Sequence, residues 1–147
     1  MVRAIKGNLL DSTEDFMVQQ CNCITNYPKG LAKTMFQTYP EADTYTTGIH
    51  RMPGTIHVFG RVVNLYGQVY PGRPRFSKQR ASRIRLFQKG LDKILELAPS
   101  SVAFPHRIGC GLAGGDWKVY SKMIRDFETR LQELNPSAYV TIYHHRP

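Results

Sequence analysis

The chain has 147 residues, 41% of them hydrophobic, and its 20 Lys and Arg against 11 Asp and Glu leave a formal net charge of +9. That length suits a single domain, 1–147, with one buried core. No apolar run approaches a membrane span and Met1–Lys6 has no signal-peptide core, so a cytoplasmic or nuclear protein with no membrane partner is expected.

Alternating apolar and β-branched residues predict strands over 2–5, 16–20, 55–59, 62–66, 101–104 and 139–143. Gly60 and Arg61, between the third and fourth, read as a tight hairpin. Helical spacing covers 30–38 and 40–46. It is stronger through Ile84, Phe87, Leu91, Ile94 and Ala98, and again through Tyr120, Ile124, Phe127, Leu131 and Leu134. Pro99 and Pro136 stand where these two long helices should stop. Strands alternating with helices, plus one hairpin, give a mixed sheet covered on both faces.

In such sheets ligands bind beyond the carboxyl ends of the strands. Three loops are predicted at that edge: one after the first strand (7–11), one after the second (21–30), and one after the fifth. The last is the most informative. It runs from Phe104 through Pro105-His106-Arg107-Ile108-Gly109-Cys110-Gly111-Leu112-Ala113-Gly114-Gly115 to a helix opening at Asp116 and Trp117. Strand, glycine-rich loop and helix N-terminus together read either as a tight strand-to-helix turn with no ligand or as an anion site, in which glycines allow close approach while free N–H groups and the helix dipole favour phosphate.

Three cysteines, Cys21, Cys23 and Cys110, are an odd count, and reduced thiols are expected. Cys21 and Cys23 lack the spacing of a zinc knuckle, so neither a metal site nor a cofactor is expected. Much of the positive charge lies in one stretch: Arg73, Arg75, Lys78, Arg80, Arg83, Arg85, Lys89 and Lys93. It is either a solvated helix face with a basic loop or a contact for polyanions.

Six segments in order resemble a macro domain, an ADP-ribose-binding module: Val2-Arg3-Ala4-Ile5-Lys6-Gly7-Asn8-Leu9-Leu10, Gln19-Gln20-Cys21-Asn22-Cys23, Gly30-Leu31-Ala32, Tyr39-Pro40-Glu41-Ala42, Asn64-Leu65-Tyr66-Gly67-Gln68 and Ile108 to Trp117. The resemblance covers essentially the whole chain. It is nearest to the subgroup that processes ADP-ribose-1″-phosphate. It implies a three-layer α/β/α fold with a mixed, mostly parallel six-stranded sheet. Asn8 would accept from the adenine amino group, with Leu9 contributing backbone contacts and Tyr143 covering the adenine face. Asn22 would face the distal ribose beside Gly30 and Leu31. Ile108, Gly109, Cys110, Gly111, Leu112, Ala113 and Gly114 would wrap the diphosphate.

Departures from the pattern narrow the chemistry. The second loop, usually glycine-rich, reads Tyr27-Pro28-Lys29-Gly30-Leu31-Ala32, which removes an N–H and adds a cation. A related glycohydrolase class uses a lysine and an aspartate that align with Gln68 and Ala113, so its mechanism is not expected here. Asn22, Asp116 and His106 are left as catalytic candidates, with Asp116 also a favoured helix cap. The leading reading is a monomeric hydrolase of modest activity that binds ADP-ribose. It would remove phosphate from ADP-ribose-1″-phosphate or cleave a mono-ADP-ribosyl ester. Two readings stand beside it: a non-catalytic reader of free, protein-linked or poly-ADP-ribose, and a nucleic-acid-binding module that uses the stretch from Arg73 to Lys93.

Overall fold

Strand β2 (Phe16–Gln20) shows how the sheet is built, because successive residues are buried on opposite faces. Val18 packs into one hydrophobic cluster and Met17 into the other. The computed structural model describes residues 1–145. Within them β2 is joined by β1 (Arg3–Lys6), β3 (Ile56–Phe59), β4 (Val62–Leu65), β5 (Ser101–Pro105) and β6 (Tyr139–His144). The strand order is β1-β6-β5-β2-β4-β3. Every neighbouring pair is parallel except β3 with β4. That pair is the predicted hairpin, turned at Gly60 with φ of 58°.

Helix α1 (Gly30–Thr38) covers one face of the sheet. Its Met35 and Phe36 pack with Met17, Val62, Tyr66 and Ala103. Helices α2 (Ser77–Glu96) and α3 (Trp117–Leu134) cover the other, where Phe87, Leu91, Ile124 and Phe127 pack on Val18, Val63, Val102 and Phe104. Burying each such side chain fully contributes about 1.5–3 kcal/mol. Gly90 lets α2 lie directly on β4, since a Cβ there would collide with the side chain of Leu65. The result is the expected three-layer α/β/α arrangement with a mixed six-stranded sheet. No helix among the described residues is long and apolar enough to cross a membrane.

Two expectations need correction. The helix expected over 40–46 is a single 3-10 turn, Pro40–Ala42. It stops because the Asp43 carboxylate accepts from the N–H groups of Tyr45 and Thr46, each at 3.1 Å, a local turn that competes with helix. Five strands also begin or end one residue away from their predicted limits, as fraying ends commonly do.

Candidate functional site

The carboxyl ends of β2 and β5 open into a cleft of about 800 Å³. A smaller recess of about 390 Å³ adjoins it beside β6. Leu31, Pro105 and His106 border both, so the two form one groove of small-molecule size. Among the described residues no Asp or Glu lines either part, whereas Lys29, His106, Arg107, His144 and His145 do.

The glycine loop forms one wall. Ile108 donates its N–H to Pro105 O at 3.1 Å and Cys110 to Arg107 O at 2.8 Å; Gly114 bonds Gly111 O at 3.1 Å. The N–H groups of Gly109, Gly111, Leu112 and Ala113 have no such partner among the described residues, and all four residues line the cleft. Cys110 and Gly114 do not. Cys110 turns into the core with its thiol pushed up to about 11 by burial, and Gly114 backs onto the stem of Arg73. Gly109 cannot be replaced easily: its φ is 74°, and a Cβ would stand 2.7 Å from the Tyr120 ring and 2.9 Å from Gln20 Oε1. Arg107 adopts φ of 64°, a left-handed conformation costing a non-glycine residue roughly 1–2 kcal/mol.

The helix that faces the cleft is α1, not α3 as the loop-to-helix motif suggested. Asp116 caps α3 by accepting from Lys118 N at 3.0 Å, and it lies exposed outside the groove. Its carboxylate is thereby removed from the position its catalytic candidacy required. Helix α1 has no side-chain cap at Lys29, and Gly30, Leu31 and Ala32 all line the cleft. Its uncapped N–H groups and dipole face the glycine loop. Leu112, 71% exposed, reaches across so that a Cβ on Gly30 would lie 3.6 Å from its Cδ1.

Asn22 lines the cleft, but its side-chain oxygen accepts from Ile24 N at 3.0 Å, Thr25 N at 2.9 Å and Thr25 Oγ1 at 3.1 Å. Three donors fill that oxygen, so Asn22 is no proton acceptor, and its amide Nδ2 is the atom left to meet a ligand. Asn8, Leu9 and Tyr143 gather in the smaller recess. Asn8 Oδ1 already accepts from Leu10 N at 3.0 Å as cap of the 3-10 turn Leu9–Asp11. The Tyr143 hydroxyl donates to buried Glu14 at 2.6 Å, which fixes the ring at the recess wall.

His106 stands where cleft and recess meet. Its ring stacks on His144 at 4.2 Å and meets Trp117 edge-on at 5.1 Å. Burial first, then His144 and Arg107, hold its imidazole below the usual value, which favours the neutral ring. Burial pushes the Cys21 thiol up to about 12 and raises that of Cys23, so neither thiol is poised as a nucleophile. No group of three His, Cys, Asp or Glu among the described residues is arranged to hold a metal ion.

Two arginines lie behind the walls: Arg83, read in the sequence only as one of the basic stretch, and Arg51, not singled out at all. Arg83, 6% exposed, donates to Gly72 O at 2.6 Å, Ala113 O at 3.0 Å and Tyr70 O at 3.0 Å. Arg51, 8% exposed, donates to Asn22 O at 3.2 Å and Thr25 O at 2.9 Å, with its guanidinium 4.6 Å from the Tyr45 ring centre. Arg83 was legible in principle, because it precedes Phe87 by four residues and so shares that buried stripe of α2. No comparable signal marks Arg51. The basic stretch is thus divided, with Arg83 inward and Arg73, Arg75, Lys78, Arg80, Arg85 and Lys89 exposed.

No protein-family model and no curated protein matches the sequence. Solved structures match throughout. The macrodomain of Mycobacterium tuberculosis DarG is 21% identical with a TM-score of 0.72, covering 97% of each chain. The macrodomain of Thermus aquaticus DarG is 22% identical with a TM-score of 0.61, covering 100% of this chain and 99% of that one. A Trypanosoma brucei macrodomain solved in complex with ADP-ribose is 14% identical with a TM-score of 0.68, covering 98% and 63% respectively. The fold of this chain is the macrodomain fold.

Proposed function

We propose that the groove binds ADP-ribose, free or as the end of a larger molecule. One observation carries this reading. The N–H groups of Gly109, Gly111, Leu112 and Ala113, unpaired among the described residues, face the uncapped start of α1 across a cleft that no described carboxylate lines. That environment suits a diphosphate, which needs many donors and no competing negative charge. Adenine then occupies the smaller recess, against the Tyr143 ring and the Asn8–Leu9 turn. The distal ribose points toward the Asn22 amide, which donates through Nδ2. Solved macrodomains of the same fold, including the Trypanosoma brucei complex with ADP-ribose, support the assignment. Titration calorimetry is expected to show ADP-ribose binding with micromolar affinity, weakened about tenfold or more by a bulky side chain at Gly109. Absence of heat at high micromolar ligand overturns the reading.

A slow hydrolytic activity is a second reading, favoured by the neutral His106 ring between the two halves of the groove. His106 is the group best disposed to exchange a proton with a water attacking an ADP-ribose derivative. The substrate would be ADP-ribose-1″-phosphate or a mono-ADP-ribosyl ester. Product analysis with both substrates should show release that His106→Ala lowers at least about tenfold. Release unchanged in that variant removes His106 from the chemistry, and no release leaves a binding module.

A further inference from the structure

We propose that Arg83 and Arg51, buried behind opposite walls of the cleft, are positioning residues that supply the fixed positive charge matching an anionic ligand. The inference deepens the ADP-ribose reading and rests on it for the identity of the ligand.

Both residues are more than nine-tenths buried, and neither forms an ion pair among the described residues. Buried cations are ordinarily matched by carboxylates, because desolvation is costly without an opposite charge. Here every hydrogen bond from Arg83 and Arg51 goes to a backbone carbonyl. Four of the five accepting residues, Asn22, Thr25, Gly72 and Ala113, line the cleft. These five bonds go to carbonyl dipoles, so the net charge of each guanidinium stays unmatched behind residues that line the cleft.

Arg83 also fixes the shape of that wall. It ties the segment 70–72 to the glycine loop through Tyr70 O, Gly72 O and Ala113 O. Tyr70 O accepts a second bond, from Gln68 Nε2 at 2.8 Å, and Gln68 Oε1 accepts from Gln20 Nε2 at 2.6 Å. The chain of bonds runs from the end of β2 through the segment after β4 to the carbonyl of Ala113. Bonding at that carbonyl orients the peptides beside it, and the N–H groups of Leu112 and Ala113 are among those left for a ligand. Arg51 does the same on the opposite side, clamping the Asn22 turn by two carbonyls while Tyr45 holds Asn22 N at 2.9 Å.

The test compares ligands of different charge on the full chain. Calorimetry with ADP-ribose, adenosine and inorganic pyrophosphate is run at low and physiological salt. Arg83→Gln should weaken ADP-ribose and pyrophosphate about tenfold or more at both salt concentrations, since a buried charge is little screened, and leave adenosine within about twofold. Arg83→Lys, which keeps the charge and loses the three-way fork, should fall between the two. Arg51→Gln should show the same selective loss. Equal weakening of adenosine and ADP-ribose, or no weakening of either, overturns the proposal. Where thermal melting shows that Arg83→Gln does not fold, the same ratio in Arg83→Lys decides. Wild-type binding of pyrophosphate without ADP-ribose ends the ADP-ribose reading and leaves the arginines to be judged on pyrophosphate. Binding of neither overturns both.

Discussion

Asp116 and Asn22 stand at turns that flank the groove, and each has its side-chain oxygen engaged by its own backbone. For Asp116 the engagement is complete in functional terms, since the residue is exposed and outside the lining. Asp116→Ala should therefore cost about 1 kcal/mol of stability, the usual value of a helix cap. In a chain of this size that lowers the melting temperature by about 2–4 °C. ADP-ribose affinity should stay within about twofold, and a large loss of affinity or turnover would return Asp116 to the site. The two residues differ in what was legible. An aspartate before an amphipathic run announces a cap, and it is one. Asn22 announces nothing about which of its atoms is free. That depends on Ile24 and Thr25 folding back over it, a consequence of the local turn that residue type alone does not encode.

At the scale of elements, periodicity alone marks β2 at 16–20 and α1 at 30–38, the ranges found, because their buried faces repeat cleanly. The same reading misassigns which helix end serves the cleft. A glycine loop followed by a helix points to α3, yet α3 carries its own cap while α1 begins at Gly30 with none. Element order and the Asp116 cap were readable; which helix start borders the cleft was not, because that is decided by how α1 and α3 pack on the sheet.

Strand β6 gives a pH prediction at this scale. Burial works to raise the Glu14 carboxyl, but hydrogen bonds from Tyr143, Thr141 and the backbone outweigh it and hold it below its ordinary 4.5. Burial, with Glu14 next, raises the Tyr143 hydroxyl to about 12 from its ordinary 10.0. A lowered carboxyl contributes stability above its unfolded value and loses it as pH falls through the folded one. A raised phenol contributes below its unfolded value and loses it as pH rises through the folded one. The pair should hold β6 and the recess wall between about pH 5 and 10. Glu14→Gln should remove the acid limb of a denaturation profile, and an unchanged limb would assign that limb to other carboxylates.

For the whole molecule, the net charge of +9 separates into two populations. Most cations are solvated, including Lys78, Arg80 and Arg85 on α2, while Arg51 and Arg83 lie inside without acidic partners among the described residues. Composition reports the sum and cannot report the division, since burial is decided when α2 packs against the loops. The three-layer order was legible in the alternation of elements. The groove was legible only as loops expected at one edge, and its continuity depends on His106, Pro105 and Leu31, which border both cleft and recess.

The reach of Leu112 toward Gly30 bears on kinetics. On the proposed reading, a ligand seated between the glycine loop and the start of α1 would pass the Leu112 side chain on the way in and again on the way out. It makes no charged contact, so it adds little to recognition of the anion. Its effect falls on residence time. Leu112→Ala should raise the dissociation rate of ADP-ribose about three- to tenfold in stopped-flow measurements while the association rate changes less. Equal changes in both rates would make Leu112 a bystander at the rim. A faster release in that variant would make the four carbons of Leu112 a strap over the proposed ligand, acting without any donor in the pocket.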